Sequence, residues 1–320
     1  MQYSFCGKSG LQLPKISLGL WHNFGDVDDF SVATHMICHA FDVGITHFDL
    51  ANNYGPPPGS AEINFGKIWA KELKAHRDDM IISSKAGHLA WDGPYGDGGS
   101  RKNLMASIDR SLQRTGLDYF DIFYSHRFDP QTPLAETIQA LIDIVRCGKA
   151  LYAGLSKYPA AQAQEAYEMM RAQHVPCLIY QGKYNLLHRA PENEGIFDLN
   201  EKYGVGFIAF SPLAQGILTD RYLYGIPETS RAAKSWGFLK TEEVTDALIN
   251  CVAQLNKLAA GRGQSLAEMS LAWLLAKQQV TSVIVGSSSV AQLQKNIDAL
   301  GNCIFKPEEI SCIENILNEL

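Results

Sequence analysis

The stretch His47–Tyr54, which reads HFDLANNY, combines a short apolar run with an aspartate and a tyrosine. Its first four residues suit a buried strand, and Asp49 lies near the end of that strand. Tyr54 follows five positions later, beside Gly55, where a loop is expected. An unpaired buried carboxylate costs more free energy than folding leaves available. Asp49 and Tyr54 are therefore expected to have polar partners elsewhere in the chain.

Eight segments of the chain are short and almost continuously apolar, as parallel strands covered on both faces are. These candidate strands are Ile16–Leu20, His47–Ala51, Met80–Lys85, Phe120–His126, Leu151–Ser156, Cys177–Gln181, Gly206–Ser211 and Ser282–Gly286. Helical patterns lie between them, at Phe30–Val43, Ala61–Leu73, Arg101–Thr115, Leu134–Arg146, Pro159–Arg171, Glu192–Lys202, near Thr241–Ala260 and at Ser265–Ala276. Residues 2–6 and 11–13 predict a hairpin ahead of the first of these strands.

Strands that alternate with helices over 320 residues predict an α/β fold, a (β/α)8 TIM barrel formed by residues 1–320 as a single domain. A doubly wound open sheet would require a glycine fingerprint after the first strand, and Gly19–Asn23 contains no GxGxxG. The regular strand spacing breaks after the seventh strand, because Gly286 lies 75 positions after Ser211. This interval contains the loop Gly216–Gly237, and a loop of that length at a barrel rim usually covers a ligand, here a cofactor.

Charge and hydropathy exclude several classes of partner. The net charge is −6, from 28 basic and 34 acidic residues, and no basic block is present, which argues against a nucleic acid partner. No apolar run reaches the ~18 residues that a membrane span needs. The N-terminal residues lack the apolar core of a signal peptide. Seven scattered cysteines without a CxxC pattern indicate reduced thiols. The chain is therefore predicted to be cytoplasmic, with a small molecule as its partner.

Polar residues at the ends of three consecutive candidate strands form the first functional hypothesis. In a barrel, the working face lies at the C-terminal ends of the strands. Asp49 and the following Tyr54 mark the end of the second strand, Lys85 ends the third and His126 ends the fourth. Since these strands are consecutive, the four side chains are expected to lie close together at one rim.

These four residue types suit the reduction of a carbonyl group. A free tyrosine has a pKa of about 10 and donates a proton poorly at neutral pH. A Lys85 ammonium near Tyr54 would favour the phenolate and lower that pKa, and Asp49 would hold the lysine in place. His126 would orient the carbonyl oxygen while Tyr54 protonates it and a hydride arrives at the carbon.

Structural interpretations of the same residues stay open at this stage. An Asp–Lys pair at strand ends is also a common ion pair, and His126 alone is also consistent with a hydrogen-bonded core histidine. The presence of four such residues at consecutive strand ends favours the functional interpretation. His35 and His39 have metal-ligand spacing on one helix, but no third ligand lies nearby in the sequence, so no metal site is predicted.

The last third of the chain contains a candidate anion site. After the eighth strand, Gly286–Ser289 leads into a helical pattern with Gln292 and Asn296, and small residues at a helix N-terminus suit phosphate. Barrels often bind phosphate after strands seven and eight. Arg221 and Arg231 in the long loop would add positive charge. A serine N-cap together with two surface arginines explains the same residues equally well.

The order Asp49, Tyr54, Lys85 and His126, followed by several motifs, resembles the aldo-keto reductase family over essentially the whole chain. Those motifs are QGKYNLL (181–187), AFSPLAQGIL (209–218), GIPETSR (225–231) and VGSSSVAQLQKN (285–296). The loops YGPPPGSAE (54–62) and GPYGDGGSRK (93–102) look more closely like the bacterial L-glyceraldehyde 3-phosphate reductase group, which is related to the potassium-channel β subunits.

The resemblance implies an NADP(H)-dependent reductase of small aldehydes or ketones without a metal, acting on substrates such as L-glyceraldehyde 3-phosphate or methylglyoxal. It implies that Tyr54 is the general acid, that Lys85 and Asp49 tune it, and that His126 orients the carbonyl. The implied cofactor contacts are Trp21, Ser156, Lys157, Gln181, Phe210, Ser211, Leu213, Ala214, Gly216, Arg221, Arg231, Gly286, Ser288, Gln292 and Asn296.

Within that set, the resemblance assigns each group of residues to one part of the cofactor. Ser156 and Gln181 would bind the nicotinamide amide, Phe210 would lie against the ring, and Trp21 would be near the nicotinamide and the substrate. The loop from Ser211 to Gly216 would line the pyrophosphate, with Arg221 and Arg231 as charge partners. The segment with Gly286, Ser288, Gln292 and Asn296 would hold the adenosine phosphate.

Three positions differ from what many family members carry. Lys157 stands where an asparagine is frequent, and channel-type relatives also have a basic residue there. Ser289 stands where an arginine often contacts the 2′-phosphate, and Lys295 where a glutamate often contacts adenine. The resemblance leaves open a second function, that of a cofactor-sensing regulatory subunit like the channel β subunits. It also implies a homo-oligomer, either a tetramer or an octamer.

Overall fold

A computed structural model describes residues 1–223, 225–227, 239 and 241–320. The strands, in chain order, are β1 (Tyr3–Phe5), β2 (Gln12–Pro14), β3 (Ile16–Gly19), β4 (His47–Asp49), β5 (Ile81–Ala86), β6 (Phe120–Ser125), β7 (Ala150–Ser156), β8 (Ile179–Lys183), β9 (Gly206–Phe210) and β10 (Ser282–Val285). Strands β3 to β10 pair in sequence, and β10 pairs with β3, so eight parallel strands close into a barrel. The predicted (β/α)8 barrel is confirmed.

Helices follow the barrel strands and cover their outer faces. They are α1 (Phe30–Asp42), α2 (Ser60–Ile68), α3 (Arg101–Thr115), α4 (Leu134–Arg146), α5 (Ala160–Ala172), α6 (Ala190–Asn193), α7 (Ile196–Tyr203), α8 (Asp246–Gly261), α9 (Leu266–Leu275), α10 (Val290–Asp298) and α11 (Pro307–Asn318). The first N–H groups of a helix have no acceptor within the helix. In several of these helices, the side chain of the N-cap residue accepts a hydrogen bond from one of them. Asp29, Ser100, Ser265 and Ser289 act in this way.

Two of the predicted helices were wrong in extent, and one helix was missed. The segment Glu192–Lys202 is divided between α6 and α7, because Gly195 has a left-handed φ of 77° that no continuous helix permits. The predicted helix Ala61–Leu73 is α-helical only to Ile68 and continues as a π-helical turn, Trp69–Leu73. Helix α11 begins at Pro307, a favourable first helical position that the sequence analysis did not use.

The N-terminal hairpin, strands β1 and β2, closes the end of the barrel at which the strands begin. Lys8 N donates to Gly204 O, just ahead of β9, and Lys15 N donates to Gln2 O. Cys6 and Leu13 are fully buried against apolar side chains in or directly before the barrel strands, namely Ile122, Tyr124, Leu178, Ile179, Ile208 and Ile284. The other barrel end, at the C-terminal ends of the strands, is therefore the open one.

The described residues contain no helix that is long and apolar enough to cross a membrane. All seven cysteines are free thiols.

A cluster of aromatic rings joins the outside of the barrel to α7. The ring centroid of Phe207 on β9 lies 4.9 Å from that of Phe197, edge to face, and 6.0 Å from those of Tyr180 and Tyr184. Phe207 is 1% exposed. Such aromatic pairs stabilise a fold beyond the area that they bury.

We expect Phe207→Ala to lower the free energy of unfolding by about 3–5 kcal/mol, because it leaves a cavity among rigid rings. Phe5→Ala is the matched control, since Phe5 lies on β1 with 60% of its surface exposed. That change should alter stability by less than about 0.5 kcal/mol. Urea unfolding measures both values, and equal losses in the two variants would contradict this account of the core.

Candidate active site

A buried ion pair lies at the open end of the barrel, between β4 and β5. Lys85 Nζ donates to Asp49 Oδ2 at 2.7 Å and to the backbone oxygen of Leu50 at 2.6 Å. Lys85 is fully buried and Asp49 is 2% exposed. The sequence predicted that Asp49 has a polar partner, and the structure shows that this partner is Lys85 of the next strand.

Tyr54 and His126 lie beside this pair. Lys85 Nζ is 4.9 Å from the ring centroid of Tyr54, and the ring of His126 meets that of Tyr54 edge-on at 6.0 Å. The loop after β4 holds Tyr54 in place through a hydrogen bond from its N–H to Ala51 O. His126 follows the last residue of β6 and still pairs with β5, by donating its backbone N–H to Ala86 O. The structure thus brings the four predicted residues together.

A second layer of polar side chains inside the barrel fixes Asp49. Ser83 Oγ donates to Asp49 Oδ1 at 2.8 Å, and Gln181 Nε2 donates to the same oxygen at 3.0 Å. His47 Nε2 lies 3.0 Å from Ser83 Oγ, and His47 Nδ1 lies 2.9 Å from Ser17 Oγ. Because the Ser83 proton is used on Asp49, Nε2 of His47 must be the donor to Ser83. Ser17 Oγ also lies 2.7 Å from Ser282 Oγ, and Ser282 donates its own proton to Pro14 O, so Ser282 Oγ and His47 Nδ1 are both acceptors for the single Ser17 proton.

His47 belongs to this network but was not predicted. It is fully buried, and burial lowers its pKa to about 4, with Asp49 acting in the opposite direction. A neutral imidazole has one N–H, and the Ser83–Asp49 hydrogen bond places it on Nε2. A usable signal was present in the sequence, because residues two apart on a strand share a face. His47 therefore faces the same side as Asp49, and Ser83 the same side as Lys85.

Burial dominates the electrostatics of Lys85 and Tyr54. It lowers the pKa of Lys85, and the Asp49 charge and hydrogen bond partly offset this. Burial, and after it the Asp49 charge, hold the pKa of Tyr54 well above its ordinary value. The expectation that Lys85 lowers the pKa of Tyr54 on balance was therefore wrong. The reason is that burial of the phenol outweighs the effect of the Lys85 charge, which Asp49, at 2.7 Å from Lys85, also opposes.

His126 is a neutral imidazole at physiological pH. Burial lowers its pKa well below the ordinary value, and the nearby cations Lys85 and Lys157 lower it further. Its side chain is 6% exposed, and its Nδ1 is buried without a hydrogen-bond partner in the described structure. A neutral histidine keeps one N–H for donation to an acceptor such as a carbonyl oxygen.

Three cationic or imidazole side chains near His126 were missed or assigned a different role. The ring of His88 meets that of His126 edge-on at 4.5 Å, and Lys157 Nζ lies 2.7 Å from His88 Nε2. Arg127 is the next residue after His126, and its Nε donates to Gly87 O. Only Lys157 had been singled out, as a cofactor contact. A basic residue next to a predicted site residue, as Arg127 is next to His126, is the signal that could have identified Arg127.

The residues expected to contact the nicotinamide lie at the same rim. Ser156 ends β7 beside Gln181 of β8 and is fully buried, and its Oγ has no hydrogen-bond partner in the described structure. Phe210 ends β9, and the centroid of its ring lies 5.8 Å from Lys157 Nζ. The ring of Trp21 lies 6.2 Å from that of Tyr54. These positions fit the implied contacts, and their roles stay predictions.

The loop after β9 has a backbone conformation that ordinary residues rarely adopt. Ser211, Ala214 and Gln215 have φ values of 53°, 46° and 59°, and Gly216 has a φ of 99°. Such strain is typical of ligand-binding loops, and successive N–H groups in these turns form concavities that hold anions. Leu213, which the resemblance assigns to the pyrophosphate, lies between Ser211 and Ala214 in this loop. Arg221 follows in a short 3-10 helix, whereas Arg231 lies outside the described residues.

The segment after β10 leads into α10. Gly286 follows the strand directly, and Ser288 donates both its N–H and its hydroxyl to Gln292 Oε1. Asn296 Nδ2 donates to Ser287 Oγ at 3.1 Å. Ser289 is the N-cap of the helix, as the alternative interpretation proposed. The N–H groups of Ser288 and Gln292 are donated to Gln292 Oε1 and Ser289 Oγ, and the helix N-terminus as a whole favours an anion.

Among residues 1–223, 225–227, 239 and 241–320, no group of three or more His, Cys, Asp and Glu side chains could hold a metal ion. His35, one of the pair with metal-ligand spacing, is exposed on α1.

Comparison with known proteins agrees with this geometry. The model of the aldo/keto reductase family matches residues 15–318. Proteins named L-glyceraldehyde 3-phosphate reductase from two strains of Escherichia coli are 52% and 51% identical over 317 residues, which is 98% of this chain and 92% of each relative. A probable voltage-gated potassium channel subunit beta from Oryza sativa subsp. japonica is 34% identical over 323 residues, covering 99% of this chain and 97% of that protein.

We expect Lys85→Met to lower the free energy of unfolding by about 3–5 kcal/mol, because it leaves the buried carboxylate of Asp49 without a counter-charge. The double variant Asp49→Leu/Lys85→Met should recover most of that loss, since both charges are then replaced by apolar side chains. Urea unfolding of the two single variants and the double variant measures this. A double variant as unstable as Lys85→Met would contradict the buried pair as the cause.

We also expect stability to fall as the pH falls from about 6.5 toward 4. The pKa of His47 is lowered to about 4 in the folded chain, so between these pH values the unfolded chain binds more protons and is favoured. The contribution of a fully buried His47 is about 3 kcal/mol. Unfolding measured at several pH values should show a shallower slope in His47→Gln than in the parent, whereas His35→Gln, an exposed control, should keep the parent slope.

Proposed function

The chain belongs to the aldo/keto reductase family, and we propose that it reduces small aldehydes or ketones with NADPH as the reductant. The observation that carries this proposal is the buried Lys85–Asp49 pair at 2.7 Å, with Tyr54 and His126 beside it at the open barrel end. A purely structural ion pair needs no tyrosine and no neutral histidine next to it. Perturbed pKa values that cluster in this way favour a functional site.

Several features of the chain fit a nicotinamide cofactor. The unpartnered and buried Ser156 Oγ offers a hydrogen bond to an amide, and Gln181 lies next to it on β8. The left-handed turn from Ser211 to Gly216 and the N-terminus of α10 offer backbone N–H groups to phosphates. Trp21, Lys157, Phe210, Arg221 and Arg231 complete the set that the family resemblance implies. When bound, such a cofactor supplies the hydride.

The residues of the chain supply the proton and its positioning. The neutral His126 donates a hydrogen bond to the substrate oxygen, and the Tyr54 hydroxyl protonates that oxygen. The raised pKa of Tyr54 keeps the phenol protonated at neutral pH, ready to donate. An alkoxide is a stronger base than a phenolate, so the transfer is downhill. Lys85 stabilises the phenolate that remains, and Asp49 with Ser83 and Gln181 holds Lys85 in position.

The substrate type follows from the Escherichia coli relatives, which are named L-glyceraldehyde 3-phosphate reductase. We propose that this chain acts on that aldehyde or on similar small carbonyl compounds such as methylglyoxal. NADPH is preferred to NADH in this proposal, although Ser289 occupies a position at which many relatives have an arginine. Lys295 on α10 adds positive charge to the same helix.

A cofactor-sensing regulatory subunit is the alternative, and the 34% identity to proteins named as probable channel β subunits favours it. Such a protein would bind NADPH but turn over slowly or not at all. Measuring NADPH consumption over a panel of small aldehydes separates the two functions.

We further propose that residues 1–320 form one domain, that the protein is cytoplasmic and that it assembles as a homo-oligomer. The family model spans nearly the whole chain, and seven free thiols are consistent with a reducing compartment. Light scattering at several protein concentrations would give the oligomeric state.

Tyr54→Phe should lower kcat by a factor of about 10² to 10⁴, because it removes the proton donor and little else. Its affinity for NADPH, measured by quenching of tryptophan fluorescence, should stay close to that of the parent. Tyr95→Phe makes the same chemical change at an exposed loop position and should leave both values unchanged. Parent-like turnover in Tyr54→Phe would rule out this tyrosine as the general acid.

A further inference from the structure

We propose that Lys157, His88 and Arg127 form a subsite for the phosphate group of a phosphorylated aldehyde. This inference rests on the proposed reductase function and assigns the substrate end of the same site. It gives Lys157 a role other than the cofactor contact that the family resemblance implies.

The position of these residues fits such a substrate. Lys157 follows the last residue of β7, and its Nζ lies 2.7 Å from His88 Nε2. The His88 ring in turn meets the His126 ring at 4.5 Å. In glyceraldehyde 3-phosphate, four bonds separate the carbonyl carbon from the phosphorus. A carbonyl held by His126 therefore places the phosphate one or two side chains further along the rim, at His88 and Lys157.

The charges around Lys157 favour the binding of an anion. In the described part of the chain, Lys157 forms no ion pair with a carboxylate, and the nearest cations are Lys85 and Arg127. Burial, and then these two like charges, lower the pKa of Lys157 to about 8. Burial, and then the charges of Lys157 and Arg127, lower the pKa of His88 to about 4, with the Asp97 charge acting in the opposite direction. Arg127 forms an ion pair with Asp97 at 2.9 Å, so Lys157 is the cation of this group whose charge a phosphate would neutralise.

The hydrogen-bond donors also suit a phosphate. Lys157 uses one of its three N–H groups on His88 Nε2, so two remain, and neutral His88 carries its own proton on Nδ1. Arg127 uses Nε on Gly87 O and one Nη2 proton on Asp97, which leaves the others of its five donors. Bonds from charged donors to phosphate are among the strongest that side chains make.

The backbone at Lys157 is an independent sign of function. Its φ is 56°, a left-handed conformation that a lysine adopts at a cost of order 1 kcal/mol. Lys157 N donates to Gln181 O at 3.3 Å, which holds this conformation. The turn directs the chain away from β7 at the position where the ammonium reaches His88. A residue that served only to end the strand would have no need of this conformation.

Binding of glycerol 3-phosphate tests the subsite without any chemical step. Calorimetry with the full chain and saturating NADP+ should show that glycerol 3-phosphate binds and that glycerol does not bind measurably. Lys157→Met should weaken binding of glycerol 3-phosphate by roughly tenfold to a hundredfold, the range for one charge-assisted hydrogen bond. Lys157→Arg keeps the charge and should restore most of the affinity. Lys202→Met, on the exposed end of α7, is the matched control and should bind like the parent.

The preference of the enzyme for a phosphorylated over an unphosphorylated aldehyde gives a second readout. The ratio of kcat/KM for glyceraldehyde 3-phosphate to that for unphosphorylated glyceraldehyde should fall by a similar factor in Lys157→Met. Failure of the parent to bind glycerol 3-phosphate more tightly than glycerol would overturn the subsite. So would a Lys157→Met variant that loses affinity for NADP+ while keeping the parent preference. A chain that binds glycerol 3-phosphate but reduces no aldehyde would support the subsite and refute the proposed function instead.

Discussion

The ion pair between Lys85 and Asp49 is the constraint on which the whole open end of the barrel depends. Two unit charges are held out of water on neighbouring strands, and a fold tolerates this only when every remaining donor and acceptor is satisfied. Asp49 receives hydrogen bonds from Lys85, Ser83 and Gln181, which come from β5 and β8. A carboxylate that bridges two non-adjacent strands across the interior fixes their relative position. Tyr54 lies beside this pair, with its ring centroid 4.9 Å from Lys85 Nζ.

The electrostatic balance of the site is a compromise between burial and charge. Asp49 keeps Lys85 in the interior, while burial, and after it the Asp49 charge, raise the pKa of Tyr54 and keep the phenol protonated. His126 lies among cations that keep it neutral. Further positive charge lies at the rim, on Lys157 and on Arg127, which pairs with Asp97. Under the proposed function, the interior groups serve proton donation and the rim groups attract an anion.

Much of this arrangement could be predicted from the sequence, because it follows from simple periodicities. Apolar runs alternating with helical patterns predicted the barrel, and the strand-end positions of Asp49, Lys85 and His126 predicted that these side chains lie together. The inward-facing partners His47 and Ser83 were available through the two-residue period of a strand but were not used. His88 and Lys157 were beyond sequence reasoning as a pair, since 69 positions separate them and their contact depends on a left-handed turn at Lys157. The break at Gly195 shows the same limit, because one glycine conformation divides an otherwise continuous helical pattern.

The central claim is that this cluster reduces carbonyl groups, and aldehyde-dependent oxidation of NADPH by the parent protein tests it most directly. Purified protein is mixed with NADPH and, in turn, with glyceraldehyde 3-phosphate, methylglyoxal and other small aldehydes, and both NADPH loss and alcohol formation are measured. The account predicts that at least one aldehyde is reduced, with one alcohol formed for each NADPH consumed. Tight binding of NADPH with no oxidation above the aldehyde-free rate for any of them would contradict it.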